Sequence, residues 1–250
     1  MILLTFNIVT IEAETKNGIQ VSGEERLKIS EGNTKAILRI LEVHDVKASF
    51  FVEVSIAAKL PALLKSIAYK GHEIAFYNDH STLQEVEEAK KYVQDLLEKQ
   101  VKGIRQKDCR LPAESLKMLG FGYISNIDHA EILFPLKRLK RETGIRETDG
   151  MSIVPESISP YSQLPYNDFV FQLLPMKYYQ NMVFETLKND EFVLIYLNSW
   201  QFTDFDKHSF RVPFHRRMNS GKKMEDKLDA LLTWINGKEL ATSRMKDYLF

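Results

Sequence analysis

Apolar and polar positions follow two different periods in the first third of the chain. A continuous apolar run at residues 47–52 (KASFFV) is typical of a buried parallel strand. Residues 56–69 then carry apolar side chains at helical spacing, with Pro61 near the start, where a proline is tolerated. A second apolar run at residues 72–76 leads into a polar loop at 77–81. This order predicts a right-handed βαβ unit whose loop lies at the carboxyl edge of a parallel sheet.

The same alternation of strand and helix patterns continues to the C-terminus. Further strands are predicted at residues 2–8, 102–106, 121–126, 151–154 and 192–197. Further helices are predicted at residues 33–44 (with Ser30 as the N-cap), 83–100, 112–119, 175–189 and 224–236. About seven strands without a repeat or linker predict one domain over residues 1–250, with a charged insertion near 136–150. The strand count favours an irregular (β/α)7 barrel over an open sheet.

Composition and charge narrow the classes of function. The 34 basic and 34 acidic residues balance, which gives no support for nucleic-acid binding or for a basic membrane-binding surface. The single cysteine, Cys109, excludes an intramolecular disulfide and a cysteine-rich zinc site. No apolar run approaches the roughly 20 residues of a membrane span, and the N-terminus lacks the basic segment of a secretory leader. We therefore expect a cytoplasmic protein.

The central unit resembles the polysaccharide deacetylase family with its NodB-homology domain. The resemblance is carried by K-A-S-F-F-V at residues 47–52, the helix after it, G-H-E-I-A at residues 71–75 and a loop with a histidine. It implies a distorted seven-stranded barrel that removes acetyl groups from N-acetylated sugars, with a divalent metal held by one aspartate and two histidines. Residues 171–179 (FQLLPMKYY) and Trp200 resemble the branch of this family linked to surface-polysaccharide gene clusters.

Two amides stand where the resemblance places the proton-transfer groups. The family's first motif, T-F-D-D, reads T-F-N-I here, so that Asn7 replaces the general base and the ligand aspartate falls at Ile8 or Thr10. The branch's H-P-W-E motif reads N-S-W-Q, so that Asn198 replaces the general acid and Gln201 replaces the glutamate. A carboxamide has no lone pair basic enough to accept a proton near neutral pH. We therefore expect no intact catalytic residue.

The metal ligands implied by the resemblance are also reduced. The family's H-[ST]-x-x-H loop is shortened here to Y-N-D-H-S, in which His80 matches the second histidine and the first falls at Tyr77 or in the gap. A catalytic zinc normally has three protein ligands and an open position, so we expect no metal cofactor. Asp79 beside His80, with His129 as a third candidate, leaves open a rearranged site for zinc or another divalent metal.

The arginine, amide and aromatic side chains expected at the site are better suited to binding a ligand than to catalysing a reaction. The family's R-x-P motif keeps Arg105 but loses the proline, and an arginine at a strand end can hold a carboxylate or a sugar hydroxyl at two points. Amides and an aromatic wall suit uncharged polyols. The expected binding residues are Tyr77, Asn78, His80, Arg105, Trp200 and Gln201.

These observations favour a degenerate deacetylase-like protein that binds a sugar or sugar-nucleotide intermediate of surface-polysaccharide metabolism. One alternative is an active metal-dependent carbohydrate N-deacetylase with a rearranged site, which metal content and acetate release would reveal. A second alternative is a scaffold for a protein partner in glycan assembly, with the charged segment near 136–150 as its contact surface.

Overall fold

The computed structural model describes residues 1–11, 14–15, 21–107, 111–126, 144–208 and 210–250 of the chain. Its strands are β1 (Ile2–Ile8), β2 (Glu14–Thr15), β3 (Ser49–Glu53), β4 (Glu73–Asn78), β5 (Gly103–Gln106), β6 (Tyr123–Asn126), β7 (Arg146–Thr148), β8 (Met151–Val154), β9 (Val193–Asn198), β10 (Phe210–Arg211) and β11 (Thr242–Ser243). Its helices are α1 (Gly23–Val43), α2 (Val54–Ala57), α3 (Pro61–Tyr69), α4 (Leu83–Leu97), α5 (Ala113–Met118), α6 (Asp168–Leu173), α7 (Met176–Asn189), α8 (Phe214–Arg217), α9 (Lys222–Gly237) and α10 (Met245–Leu249), with a 3-10 turn at Ser199–Phe202.

One curled sheet carries the fold. Its parallel strands lie in the order β9-β1-β3-β4-β5-β6-β8, and β7 adds an antiparallel edge. β11 pairs with Ile2 and Leu3 of β1, beside which β3 has not yet begun because its pairing starts at Thr5. The expectation of an irregular α/β barrel is thus confirmed, in the form of a curled half-barrel surrounded by helices.

The seam between β8 and β9 is bridged by a loop. No β-ladder joins these two strands within the described ranges. Instead, the backbone N–H of Leu194 donates to Ser157 Oγ over 2.8 Å, and the N–H of Tyr196 donates to the carbonyl of Tyr166 over 3.2 Å. The segment that follows β8 therefore lies in the barrel wall beside β9, where it reaches the site described below.

The first helix begins earlier than its sequence pattern indicates. α1 starts at Gly23, and its N-cap is Ser22, whose Oγ accepts from the backbone N–H of Glu25 over 3.2 Å. The predicted cap, Ser30, is buried inside the helix. Because the first two turns of α1 are mostly polar and the helix contains Gly32, they resemble a loop in sequence, yet one glycine costs a helix only about 1 kcal/mol.

The helix predicted at residues 56–69 is divided in two. α2 ends at Ala57, and α3 begins at Pro61, which lacks a backbone N–H and is favoured in the first helical turn. Of the charged insertion predicted near 136–150, residues up to 143 lie outside the described part of the chain, as do Cys109 and His129. Residues 146–148 form β7, which pairs with β8 as a hairpin.

The C-terminal residues close the end of the barrel opposite the site. Glu73, 2% exposed, accepts hydrogen bonds from Ser49 Oγ (2.5 Å), Tyr123 Oη (2.8 Å) and the backbone N–H of Lys246 (3.0 Å). Burial raises the pKa of this carboxyl. Met245 is fully buried, and its N–H donates to Ser49 Oγ over 2.8 Å. The C-terminal residues therefore close this end of the barrel.

None of the helices in the described ranges has the length and apolar character that a membrane crossing requires.

Candidate functional site

A groove of about 470 Å³ opens at the carboxyl edge of the sheet. Of the residues singled out from the sequence, those that line it are Asn7, Tyr77, Asp79, His80, Asn198 and Trp200. Charged side chains on its walls are Glu53, Lys107, Asp168 and Arg216. Parallel strands bring these positions together because their carboxyl ends meet at one edge, where α/β folds place their ligands.

Asn7 and Asn198 are hydrogen-bonded to each other at the centre of the groove. They are register partners on β1 and β9, and Nδ2 of Asn7 donates to Oδ1 of Asn198 over 2.9 Å. Nδ2 of Asn198 in turn donates to Oδ2 of Asp168 over 2.6 Å. Each amide thus uses its polar atoms on a protein partner, and neither is a group that exchanges protons near neutral pH.

Arg105 lies beneath the floor of the groove. Its guanidinium is fully buried and donates to Oδ1 of Asn7 (2.7 Å), Oγ1 of Thr5 (3.0 Å) and Oγ of Ser125 (3.1 Å). It also lies over the ring of Phe51, 3.9 Å from the centroid. Burial lowers the pKa of Arg105 to about 10. The guanidinium therefore positions Asn7 and has no open path to a ligand in the groove.

Gln201 fastens the end of β9 to α6. It is fully buried; its Oε1 accepts from the backbone N–H of Asn198 (3.0 Å), and its Nε2 donates to the carbonyl of Asp168 (2.9 Å) and to Oε1 of Gln172 (3.0 Å). Gln172 donates to the carbonyl of Arg216 over 3.0 Å. Both glutamines hold the groove walls in place.

The loop after β4 divides between the floor and the rim. Asn78 is buried, and its Oδ1 accepts from the backbone N–H of Ser81 over 2.8 Å, which shapes the turn. Tyr77 faces the groove, whereas the side chain of His80 is 79% exposed at the rim, with Nε2 3.6 Å from Oδ2 of Asp79.

The structure therefore separates the expected binding residues into two groups. Tyr77, His80 and Trp200 line the groove. Asn78, Arg105 and Gln201 are buried and are not among the residues that line it, and the binding role expected of these three positions stays a prediction. Sequence position alone places all six near one sheet edge, but it does not tell which side chains are covered by their neighbours.

Within the described part of the chain, the donors around the groove do not fit the divalent metal that the resemblance implies. Among the residues that the structure describes, no three His, Cys, Asp or Glu side chains are grouped so that they could hold a metal ion. Asp79 and His80 offer two donors, one fewer than a catalytic zinc normally takes from the protein.

A buried carboxyl beside the groove is absent from the sequence-based set. Glu156 is 8% exposed, and its Oε1 has no hydrogen-bond partner within the described residues; the same holds for the hydroxyl of Tyr196, which lines the groove. Burial raises the pKa of Glu156 to about 7, and the positive charge of Arg105 offsets part of this effect. Its position just after β8, at a strand end, was the available signal.

Comparison with known proteins finds a matching family model and several solved structures of similar fold. The family model "Polysaccharide deacetylase" matches residues 1–117. A search of curated protein sequences found no significant match. Among solved structures, a CE4 family pseudoenzyme from Bacillus anthracis is 11% identical, with a TM-score of 0.53 over 100% of this chain and 65% of its own. This chain therefore spans about two thirds of that protein's length.

Two further structures have higher TM-scores. A probable polysaccharide deacetylase from Pseudomonas aeruginosa PAO1 is 11% identical, with a TM-score of 0.60 over 99% of this chain and 89% of its own. The Puue allantoinase is 12% identical, with a TM-score of 0.62 over 99% of this chain and 88% of its own. At these identities the likeness is one of fold. The resemblance to the polysaccharide deacetylase family is thus confirmed: residues 1–117 match its domain in sequence, and the whole chain shares the fold of its solved members.

Proposed function

We propose that this protein is a non-catalytic relative of the polysaccharide deacetylases that binds a sugar or sugar nucleotide in its groove. The observation that carries this proposal is the hydrogen bond between Asn7 and Asn198. The resemblance places the general base and the general acid at these two positions, and both are amides engaged with each other. Replacing one such group typically costs a factor of about 10²–10⁴ in rate.

Binding is supported by the form of the groove. Its volume of about 470 Å³ lies within the range of roughly 300–1,000 Å³ usual for small-molecule sites. Tyr77 and the half-buried Trp200 supply aromatic walls, which pack against the apolar faces of sugar rings, while polar side chains between them suit hydroxyl groups. The biological setting that we propose is a cytoplasmic step in the assembly of a surface polysaccharide.

The solved relatives support a non-catalytic reading. One of the similar structures is described as a mutant of a CE4 family pseudoenzyme with restored enzymatic activity, at 10% identity and a TM-score of 0.54. This fold is therefore known in an inactive form. The scaffold alternative depends on residues 136–150, of which 144–150 are described, and it stays a prediction.

Isothermal titration with N-acetylglucosamine and N-acetylgalactosamine, free and nucleotide-linked, tests the proposal. We expect at least one of these ligands to bind, and Trp200→Ala to weaken its binding about tenfold through loss of the aromatic wall. Tyr69→Ala, at a 92% exposed position on α3, is the matched control and should leave binding unchanged.

A parallel assay of acetate release, with zinc, cobalt or nickel added, distinguishes the enzyme alternative. Absence of binding across the whole panel would overturn the proposal. Acetate release above the rate without protein would also overturn it, in favour of a deacetylase with a rearranged site around Asp79 and His80.

A further inference from the structure

The groove continues beyond Trp200 into a second cavity of similar volume, about 470 Å³. This second lobe is lined by Asp168, Phe169, Gln172, Trp200, His215 and Arg216. Asp168, Trp200 and Arg216 also line the groove already described, which we now term the first lobe. The two lobes therefore form one cleft, with Asp168, Trp200 and Arg216 at their junction.

The lobes differ in chemistry. The first lobe is walled mainly by amides, hydroxyls and charged groups. The second lobe presents the rings of Phe169, His215 and Trp200, and Phe169 remains 42% exposed. Phe169 and His215 meet edge to face, with their centroids 6.4 Å apart. Exposed aromatic rings around a cavity are suited to stacking on a flat heterocycle, as aromatic side chains do on nucleic-acid bases.

The junction carries a cation available to a ligand. The guanidinium of Arg216 lies 5.7 Å from the ring of Trp200, and no carboxylate of the described residues forms an ion pair with it. Its neighbour Arg217 is paired with Asp206 at 3.0 Å. Asp168, the carboxylate that lines both lobes, accepts from the amide of Asn198. A guanidinium over an aromatic ring keeps its N–H fork free for two-point binding of phosphate.

We propose that the cleft takes a nucleoside diphosphate sugar, with the sugar in the first lobe, the diphosphate at Arg216 and the base in the second lobe. This inference rests on the proposed function, since it takes the first lobe as the sugar site. It adds the class of ligand: the order of polar lobe, cation and aromatic lobe along one cleft matches the order of sugar, diphosphate and base.

Isothermal titration with UDP-N-acetylglucosamine, UDP and N-acetylglucosamine tests it. We expect UDP-N-acetylglucosamine to bind at least tenfold more tightly than either half. Arg216→Gln should weaken binding of the two UDP ligands by roughly 10- to 100-fold, as charge-assisted bonds to phosphate are lost. Its effect on N-acetylglucosamine should be less than about threefold. Phe169→Ala should weaken the UDP ligands about tenfold.

The chain offers a matched control for each variant. Arg217→Gln removes an adjacent arginine that faces Asp206, and Phe184→Ala removes a phenylalanine on α7 with the same 42% exposure as Phe169. Both should leave all three affinities unchanged.

Three outcomes would count against the proposals, and they are distinguishable. Equal affinities for N-acetylglucosamine and its UDP form, unaffected by Arg216→Gln, would overturn this inference and leave sugar binding intact. Binding of UDP as tight as that of the UDP sugar, with none of the free sugar, would overturn the sugar site in the first lobe. Absence of all binding would overturn both proposals.

Discussion

Arg105 donates a 2.7 Å hydrogen bond to Oδ1 of Asn7 and thereby sets the direction of a hydrogen-bond chain across the site. A guanidinium can only donate, so the amide oxygen of Asn7 must face it and the amide NH₂ must face Asn198. The amide oxygen of Asn198 therefore faces Asn7, and its NH₂ group donates to Oδ2 of Asp168. The buried cation thus lies beneath a neutral amide at the position where the resemblance implies a carboxylate.

We expect Asn7→Asp to raise the thermal midpoint by about 2–4 °C at pH 7, which corresponds to about 1 kcal/mol for a chain of this size. A carboxylate would give the buried guanidinium of Arg105 a charged partner, and unpaired buried charges are strongly unfavourable. The bond to Asn198 would be lost, which limits the gain. Differential scanning calorimetry measures the shift.

Asn7→Ala is the comparison for that experiment, because it removes the acceptor of Arg105 without supplying a charge. It should lower the midpoint, since an unsatisfied buried donor costs about 1–3 kcal/mol. If Asn7→Asp lowered the midpoint as much as Asn7→Ala does, a negative charge at position 7 would not stabilise the buried guanidinium of Arg105, and the prediction would be wrong.

Acid should destabilise the protein through His72. The ring is buried, its Nδ1 accepts from the N–H of Ala48, and burial together with nearby positive charges lowers its pKa from 6.5 to about 4. The unfolded chain therefore binds more protons between these values, and up to about 3 kcal/mol of stability is lost as pH falls from 6.5 to 4. His72→Asn should flatten this part of a urea-unfolding profile against pH, whereas His215→Asn, at an exposed position, should not. Identical profiles for all three proteins would contradict the prediction.

Glu156 should act in the opposite direction. Its pKa is raised from 4.5 to about 7, so the folded protein holds the extra proton in this interval, and stability falls as pH rises through it. Glu156→Gln removes the ionisable group. Relative to the unmodified protein, this variant should therefore gain up to about 3 kcal/mol between pH 4.5 and pH 8. Urea unfolding at both pH values measures the gain, and no relative change would show that the carboxyl is ionised without penalty in the fold.

If the C-terminal residues close the end of the barrel, replacing Met245 should lower the unfolding free energy more than replacing Met118. Met245 is fully buried at the closed end of the barrel, so Met245→Ala should cost about 2–5 kcal/mol of unfolding free energy. Met118→Ala, at a position 75% exposed on α5, should change it by less than about 0.5 kcal/mol. Chemical denaturation compares the two variants. Equal, small effects would mean that the tail is not packed against the barrel in solution.

The sequence pattern predicts the strands and helices whose bounds are set by residues close together along the chain. The strands at Ile2–Ile8 and Met151–Val154 agree with the structure at both ends, and the other central strands agree within two residues. Apolar runs and turn residues mark such elements locally, so they are readable without a fold. The sequence pattern did not predict the early start of α1, because the exposed first turns of this helix have a composition typical of loops.

The amino-acid sequence by itself determined the succession of the seven parallel strands of the main sheet and of the longer helices between them, and it placed Asn7 and Asn198 at the ends of two strands. Tertiary structure alone decided that these amides bond to each other, that Arg105 and Gln201 lie beneath the groove, and that a second lobe opens beside Trp200. These outcomes join residues as much as 191 positions apart. They follow from the curvature of the sheet and from which side chains cover one another, and no local period in the sequence encodes either.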